Sequence, residues 1–258
     1  YVLNGATCLS LPVDDWGVPV AALEEGGLQV LHISPNHQFP TGVVTPIARR
    51  QGMLRWAQAG SERYIIEDDY DSEFRFTGLP IPTLQSVDRG GRVLYVNTFS
   101  RTLAPSLRIS YLILPEALVP LYRERLGFYS CTVPAIEQYT LALFLEEGFF
   151  DAHLNRMKIF YRNRRDRVLA TIQAGPLAGR CRPVRVEAGL HFLLELDTRR
   201  EDGEPQQLGR SEGIRLSFLS DFQRCPGRAA PHTLVLNYPG IDLERLPQGL
   251  ELLAGWLD

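Results

Sequence analysis

Residues 96–111 read VNTFSRTLAPSLRISY. The stretch is entered from one apolar run, Val93–Val96, and left through another, Ile109–Leu114. Both runs are short and apolar at successive positions, which predicts strands buried on both faces of a sheet. Between them lie two hydroxyls, Thr98 and Ser100, and two guanidinium groups, Arg101 and Arg108. Thr98, Ser100 and Arg108 make a set suited to a phosphate dianion, each charge-assisted hydrogen bond contributing ~1.5–3 kcal/mol. Arg101 stands in the same loop, at a place where a reactive amine would complete a cofactor site. A guanidinium cannot serve as that amine, because it stays protonated at ordinary pH and offers no nucleophilic nitrogen.

Upstream, Leu28–Ile33 (LQVLHI) and Tyr64–Ile66 (within RYIIED) carry the same buried-strand signature. Thr45-Pro46 between them predicts a helix N-cap with proline at the first helical position, the helix running to Ala59-Gly60. Strand–helix–strand alternation predicts a mostly parallel sheet with helices on its faces. Arg89-Gly90-Gly91 punctuates the next crossing, and Ser72–Asp88 reads as irregular. Three polar loops then follow the carboxyl ends of the strands, where open α/β sheets place ligands. They are Ser34–Gly42 (SPNHQFPTG), Glu67–Phe74 (EDDYDSEF) and Asn97–Arg108.

The second half turns helical. Pro134 opens a helix with Ile136, Tyr139, Leu143 and Phe144 on one face, closed by Gly148. Asp151 is expected to cap a longer helix whose stripe is Leu154, Met157, Tyr161, Val168 and Ile172, ending at Gly175-Pro176. In the same helix Lys158 sits among Arg156, Arg162, Arg164, Arg165 and Arg167, read as a solvated basic face rather than a DNA contact. A smaller α+β region follows, with strands expected at Leu190–Leu196, Ile214–Leu219 and Leu234–Tyr238 and a helix reaching Trp256. The polar insert Asp197–Pro205 reads as a mobile loop.

With 258 residues, 45% hydrophobic and 22% charged, the chain has the composition of an ordinary folded protein. A net charge of -3 argues against nucleic-acid binding by bulk charge, and no apolar run approaches the ~20 residues of a membrane span. The cysteines Cys8, Cys131, Cys181 and Cys225 are scattered, so no metal site or disulfide framework is expected, which fits a reducing cytoplasm. Of the 27 basic residues only Lys158 is a lysine, and the other 26 are arginines.

Three strings, HISPNHQFPTG (32–42), RYIIEDDYDSEFRFTGLPIPTLQ (63–85) and VLYVNTFSRTLAPSLRISYLILP (93–115), closely resemble the effector domain of MocR-type transcriptional regulators. The likeness continues through EAGLHFLLELD (187–197) and HTLVLNYPGIDLERLPQGLELL (232–253). In those proteins a GntR-type winged helix is fused to a domain shaped like a fold-type I, pyridoxal 5'-phosphate (PLP)-dependent aminotransferase. The resemblance implies that Asp68 pairs with the pyridine nitrogen of PLP, that Tyr70 reaches its ring oxygen, and that Thr98, Ser100 and Arg108 hold its phosphate. It also implies that Asp69 and Asp71 face solvent or cap the turn. Arg101 falls where the family has the Schiff-base lysine, and mid-helix Lys158 is no substitute. No catalytic residue is therefore expected, and PLP would bind only non-covalently. Two other departures stand out. Around Val235 the chain is apolar where aminotransferases place an arginine for a substrate carboxylate, and Phe39 stands in place of the asparagine that commonly precedes the Pro-Thr-Gly turn, although HQFPTG is itself the usual MocR form. His37 reads as structural.

The implied organisation is part of a large PLP-binding-like domain at 1–132, connecting helices at 133–175 and a small α+β domain at 176–258. The family's first strands, glycine-rich phosphate loop and winged helix have no counterpart here, so a fragment is expected. Any DNA contact would be made by a winged helix absent from this chain. The expected function is effector sensing, with a small-molecule effector, a homodimer and cytoplasmic residence. The other readings are an aminotransferase-fold enzyme and a vestigial dimerisation scaffold. The strand at Ile109–Leu114 is expected at a sheet edge, open to another chain.

Overall fold

A computed structural model describes residues 1–79, 81–224 and 231–258, so Cys225 lies outside the described residues. The chain divides into two compact units. The first comprises 1–38, 43–72 and 79–154; the second comprises 39–42, 73–78 and 155–258.

The first unit is built on a four-stranded sheet in the order β1 (Val30–Ile33), β2 (Tyr64–Asp69), β3 (Val93–Thr98), β4 (Ser110–Ile113). β1–β2 and β2–β3 are parallel and β3–β4 is antiparallel, so the sheet is mixed and mostly parallel, as the alternation predicts. Side chains alternate between the faces of a strand. Leu31, Ile33, Ile65 and Val93 therefore point to one face, where they pack with Met53, Leu54, Trp56 and Ala57 of α2 (Ile47–Gln58) and with Leu23 of α1 (Val20–Glu25). The helix expected from Thr45-Pro46 is present, but Pro46 is its N-cap and Ile47 its first residue. Within the segment read as irregular, α3 (Leu84–Val87) is capped by Thr83, whose Oγ1 accepts from the Ser86 N–H at 3.0 Å. Asp88 anchors the turn into β3 by accepting from the backbone N–H groups of Gly90 and Val93 at 2.8 and 2.9 Å.

Two sequence expectations are corrected here. β4 lies at the sheet edge, as expected, but it is not buried on both faces: Tyr111, Leu112 and Ile113 are all exposed. The helix after Pro134 forms as α5 (Ala135–Glu146), following α4 (Val119–Leu126), but its apolar stripe faces outward, with Ile136 80% and Tyr139 74% exposed. An apolar period predicts that a face seeks burial, and of this one only Phe144 is partly covered, against Phe149 and His153.

α6 (Phe149–Ala174) contributes its first residues to the first unit and the remainder to the second. It starts two residues before Asp151, which sits in its first turn and is not its cap. In the second unit, β5 (Cys181–Val184), β6 (Phe192–Leu196) and β7 (Thr233–Leu236) form an antiparallel sheet in that order. Val168 and Ile172 of α6, Phe192 and Leu194 of β6, and Leu250 and Leu253 of α8 (Leu246–Gly255) are buried. The expected strand at Ile214–Leu219 does not form: the chain makes one isolated bridge, Phe218–Leu234, and then a 3-10 turn at Leu219–Phe222. The supposed mobile insert instead leads into α7 (Gly203–Ser211), while Asp202 accepts from Ser220 Oγ at 2.5 Å and from the His232 N–H at 2.9 Å. Nor is the basic face of α6 wholly solvated. Arg164 donates to the carbonyls of Tyr238 and Ile241, and Arg165 to that of Val186.

Candidate ligand-binding site

The site is built at the carboxyl ends of β2 and β3. Register sets Asp68 opposite Val96 and Ile66 opposite both His32 and Leu94. With period-two alternation, His32, Asp68, Val96 and Thr98 share one face of the sheet, while Glu67, Asp69, Tyr95 and Asn97 share the other. Burial follows the same division: Glu67, Asp69, Tyr95 and Asn97 are buried, and Asp68 and Thr98 are only partly so.

On the partly open face, Asp68 Oδ2 lies 3.5 Å from His32 Nε2, and His32 Nδ1 lies 3.1 Å from the Tyr1 hydroxyl. Burial, followed by the charge of Asp68, raises the Tyr1 pKa. Thr98 Oγ1 is 3.0 Å from Ser100 Oγ and 3.1 Å from the Ile109 carbonyl oxygen, and it accepts from the Ser100 N–H at 3.2 Å. The two hydroxyls are thus paired, and the tight turn after β3 is fixed by a side chain bonding local backbone. Arg108 ends a 3-10 turn, Pro105–Leu107, with φ 50 and ψ 30, a left-handed conformation costing a non-glycine residue about 1 kcal/mol. Arg101 and Arg108 are exposed, and neither side chain has a hydrogen bond or ion pair among the described residues.

Tyr70 follows β2 directly, in the loop at its carboxyl end. Its hydroxyl donates to the His37 carbonyl at 2.8 Å and lies 3.3 Å from His37 Nδ1. Its pKa is raised by burial and then by Asp71 and Asp68, while the Arg101 cation opposes the rise. Arg101 is therefore within electrostatic reach of the phenol.

Asp69 and Asp71 do not face solvent: they are 2% and 1% exposed. Asp71 Oδ2 pairs with His37 Nδ1 at 2.9 Å. Asp69 accepts from the Tyr95 hydroxyl and from Ser72 Oγ, both at 2.8 Å, and Tyr95 in turn accepts from Asn97 Nδ2 at 2.9 Å. In EDDYD three of the four carboxylates, Glu67, Asp69 and Asp71, are buried and paired, and Asp68 alone lies on the partly open face. His37, read as structural, is 2% exposed and paired with Asp71.

Sequence reasoning missed His32, whose place beside Asp68 follows once β1 and β2 are paired in parallel. It also missed Arg50, which is 2% exposed on α2. Its guanidinium donates to the carbonyls of Thr45, Pro35 and Pro82 and to Asn36 Oδ1, at 2.8–2.9 Å, and so ties the first polar loop to the helix. An arginine one turn into a helix that follows a polar loop is the only sequence signal for it. Val235 lies in β7 opposite Leu193.

No family model matches the chain. Among curated proteins it is 36% identical over 258 residues to the uncharacterized HTH-type transcriptional regulator YdeL of Bacillus subtilis, covering 99% of this chain and 55% of that protein. It is 31% identical over 253 residues to the probable rhizopine catabolism regulatory protein MocR of Rhizobium meliloti, covering 96% and 50%. It is also 31% identical over 246 residues to the pyridoxine biosynthesis regulator PdxR of Corynebacterium glutamicum, covering 94% and 51%. The chain thus spans about half the length of the curated relatives it matches. Among solved structures, a Pyrococcus horikoshii kynurenine aminotransferase superposes with a TM-score of 0.81 at 25% identity, covering 96% of this chain and 63% of that one. The α-aminoadipate aminotransferase LysN of Thermus thermophilus superposes with a TM-score of 0.79 at 26% identity, covering 96% and 64%. The homologues of this chain are HTH-type transcriptional regulators, MocR and PdxR among them, and its fold is that of the fold-type I aminotransferases.

Proposed function

We propose that the chain is the effector-sensing, aminotransferase-like part of a MocR-type regulator, and that it binds a PLP-like ligand without a covalent bond. The carrying observation is the common sheet face of Asp68 and Thr98, with Ser100, Arg101 and Arg108 in the loop that follows. The donor set fits the phosphate: two hydroxyls and an unpaired cation in a strained turn suit a dianion. Asp68 fits the pyridine nitrogen, where a carboxylate keeps the ring protonated. When bound, such a ring supplies an electron-withdrawing cation. The position of Arg101 does not fit covalent attachment, because nothing there can add to an aldehyde. An enzyme reading therefore lacks its nucleophile, and sensing by reversible occupancy fits the regulatory relatives.

Holding the ligand takes a division of labour. Arg108, Thr98 and Ser100 bind the phosphate, Asp68 orients the ring, and His32 holds Asp68 on the open face of the sheet. The test is equilibrium dialysis with PLP, then borohydride reduction and peptide mapping. Reversible binding is expected, with no adduct at residue 101, and Arg108→Met should weaken it about 10- to 100-fold, the worth of one charge-assisted contact. Arg101→Lys should acquire a reducible adduct at 101. An adduct on Lys158 of the unaltered chain that accounts for the binding would overturn the proposal, as would an absence of binding by any phosphorylated pyridine.

A further inference from the structure

The second unit contains a cavity of about 650 Å³, a volume suited to a small molecule. It lies between α7 and the chain that follows it, and all of its lining belongs to residues 206–222 of the second unit. A close approach of backbone builds its floor. A Cβ on Gly209 of α7 would stand 2.7 Å from the Ile214 carbonyl oxygen and 3.4 Å from Leu216 Cγ, so a glycine there lets the two segments pack. Gly213, with φ 73, turns the chain back, and the Ile214 N–H donates to the Gly209 carbonyl at 2.7 Å. Residues 214–217, which have strand composition, are thereby laid along α7 outside any strand.

The lining combines an apolar wall with donors that have no acceptor. Ile214, Leu216 and Phe222 supply the wall, and the Phe222 ring, 42% exposed, is met edge-on by that of Phe39 at 5.2 Å. Asp221 is the carboxylate of the lining, and its Oδ2 is already engaged, accepting from Gln206 Nε2 at 2.7 Å and from the Phe218 N–H at 2.9 Å. Arg210, Arg215 and the Ser217 hydroxyl also line the cavity, and among the described residues none of these three side chains has a hydrogen bond or ion pair. Other arginines of the unit do find carboxylates: Arg182 pairs with Glu195 and Arg180 with Asp258. A helix end favours a cation at Arg210, in the last turn of α7, but Arg215 lies beyond that turn.

We infer that this cavity binds a small organic anion, its carboxylate held by Arg210, Arg215 and the Ser217 hydroxyl and its apolar body laid against Ile214, Leu216 and Phe222. Guanidinium groups match a carboxylate through parallel N–H bonds, and the carboxylate of the lining, held by Gln206 and the Phe218 backbone, leaves them uncompensated. The ligand needs neither a phosphate nor a ring nitrogen, so the site stands apart from the function proposed above.

The probes are phenylacetate and 4-methylpentanoate, with phenylacetamide and 4-methylpentanamide as their neutral counterparts, titrated into the full chain by calorimetry and ligand-observed NMR. At least one acid should bind about tenfold or more tightly than its amide. Arg210→Met and Arg215→Met should each weaken that acid about tenfold while the amide changes less than twofold, and the lysine variants should recover part of the loss. Both side chains are exposed and unbonded, so the urea midpoints of these variants should not move. Arg182→Met removes the same charge from β5, outside the lining, and should leave the affinity unchanged. Acids that bind no better than their amides, or that do not bind at millimolar concentration, overturn the inference. An equal loss in Arg182→Met overturns it too, because the effect then belongs to overall charge. A loss in Arg108→Met and in neither cavity variant assigns the acid to the first unit, which ends this inference and leaves the proposed function standing.

Discussion

Tyr95→Phe isolates one buried network beneath the sheet. The substitution keeps the ring and removes a single oxygen, which donates to Asp69 Oδ2 at 2.8 Å and accepts from Asn97 Nδ2 at 2.9 Å. The bond to an ionised carboxylate is worth about 1.5–3 kcal/mol and the neutral one about 0.5–1.5. Asp69 keeps Ser72 as a donor, so the site is weakened and not orphaned. The expected loss is therefore about 3 kcal/mol in the first unit. Urea unfolding followed by the fluorescence of Trp56, which is 2% exposed in that unit's core, reads it directly. The midpoint should fall with little change in slope, because the surface exposed on unfolding is nearly the same. Tyr95→Leu, which also removes the ring, should cost more. A loss below about 0.5 kcal/mol for Tyr95→Phe would show that the buried face of β2 and β3 is not held by these bonds, and that Asp69 finds other donors at no cost.

Two further perturbations address the same unit. Arg50→Met should destabilise it by about 3–5 kcal/mol, because three carbonyl oxygens and Asn36 lose a buried charged donor; Arg50→Lys, a point charge without the fork, should recover only part in the same urea assay. Glu67, buried and accepting from the backbone N–H groups of Leu84 and Gln85, has a pKa raised mainly by burial. The folded state then holds this proton more tightly than the unfolded one. Stability from Glu67 should fall as pH rises from the usual glutamate value through the raised one, and Glu67→Gln, compared with the unaltered chain across that window, should flatten the dependence. An unaltered chain that gains stability relative to Glu67→Gln as pH rises through that window would reverse the sign of this reading.

The sheet of the first unit was legible in the sequence because its central strands are runs of apolar residues whose only tolerable place is an interior. The site loops were legible for a related reason: polar groups placed just after such strands have few other uses. What escaped were facts of pairing. β4 lies at the edge expected of it, yet its apolar run predicts burial on both faces and all four of its residues are exposed, since apolarity does not say what covers a strand. In EDDYD, the alternation that buries Asp69 and opens Asp68 appears only when the phase of β2 is fixed by its partners. Ile214–Leu219 has strand composition, but only Phe218 finds a bridge partner. Arg164 and Arg165, three and four residues after Tyr161, lie on the same side of α6 as its apolar stripe, and carbonyls brought there by folding claim them.

The left-handed backbone at Arg108 sets stability against ligand capture at a single codon. Glycine or asparagine would relax the turn, so random substitution under selection for folding alone drifts away from arginine at this place. A lineage that no longer needed the anion could improve its fold by one step and erase its cation at once. Arg108 is thus a sensitive indicator of whether descendants of this chain still encounter a phosphorylated ligand, and replacing it would be an early and cheap sign of release.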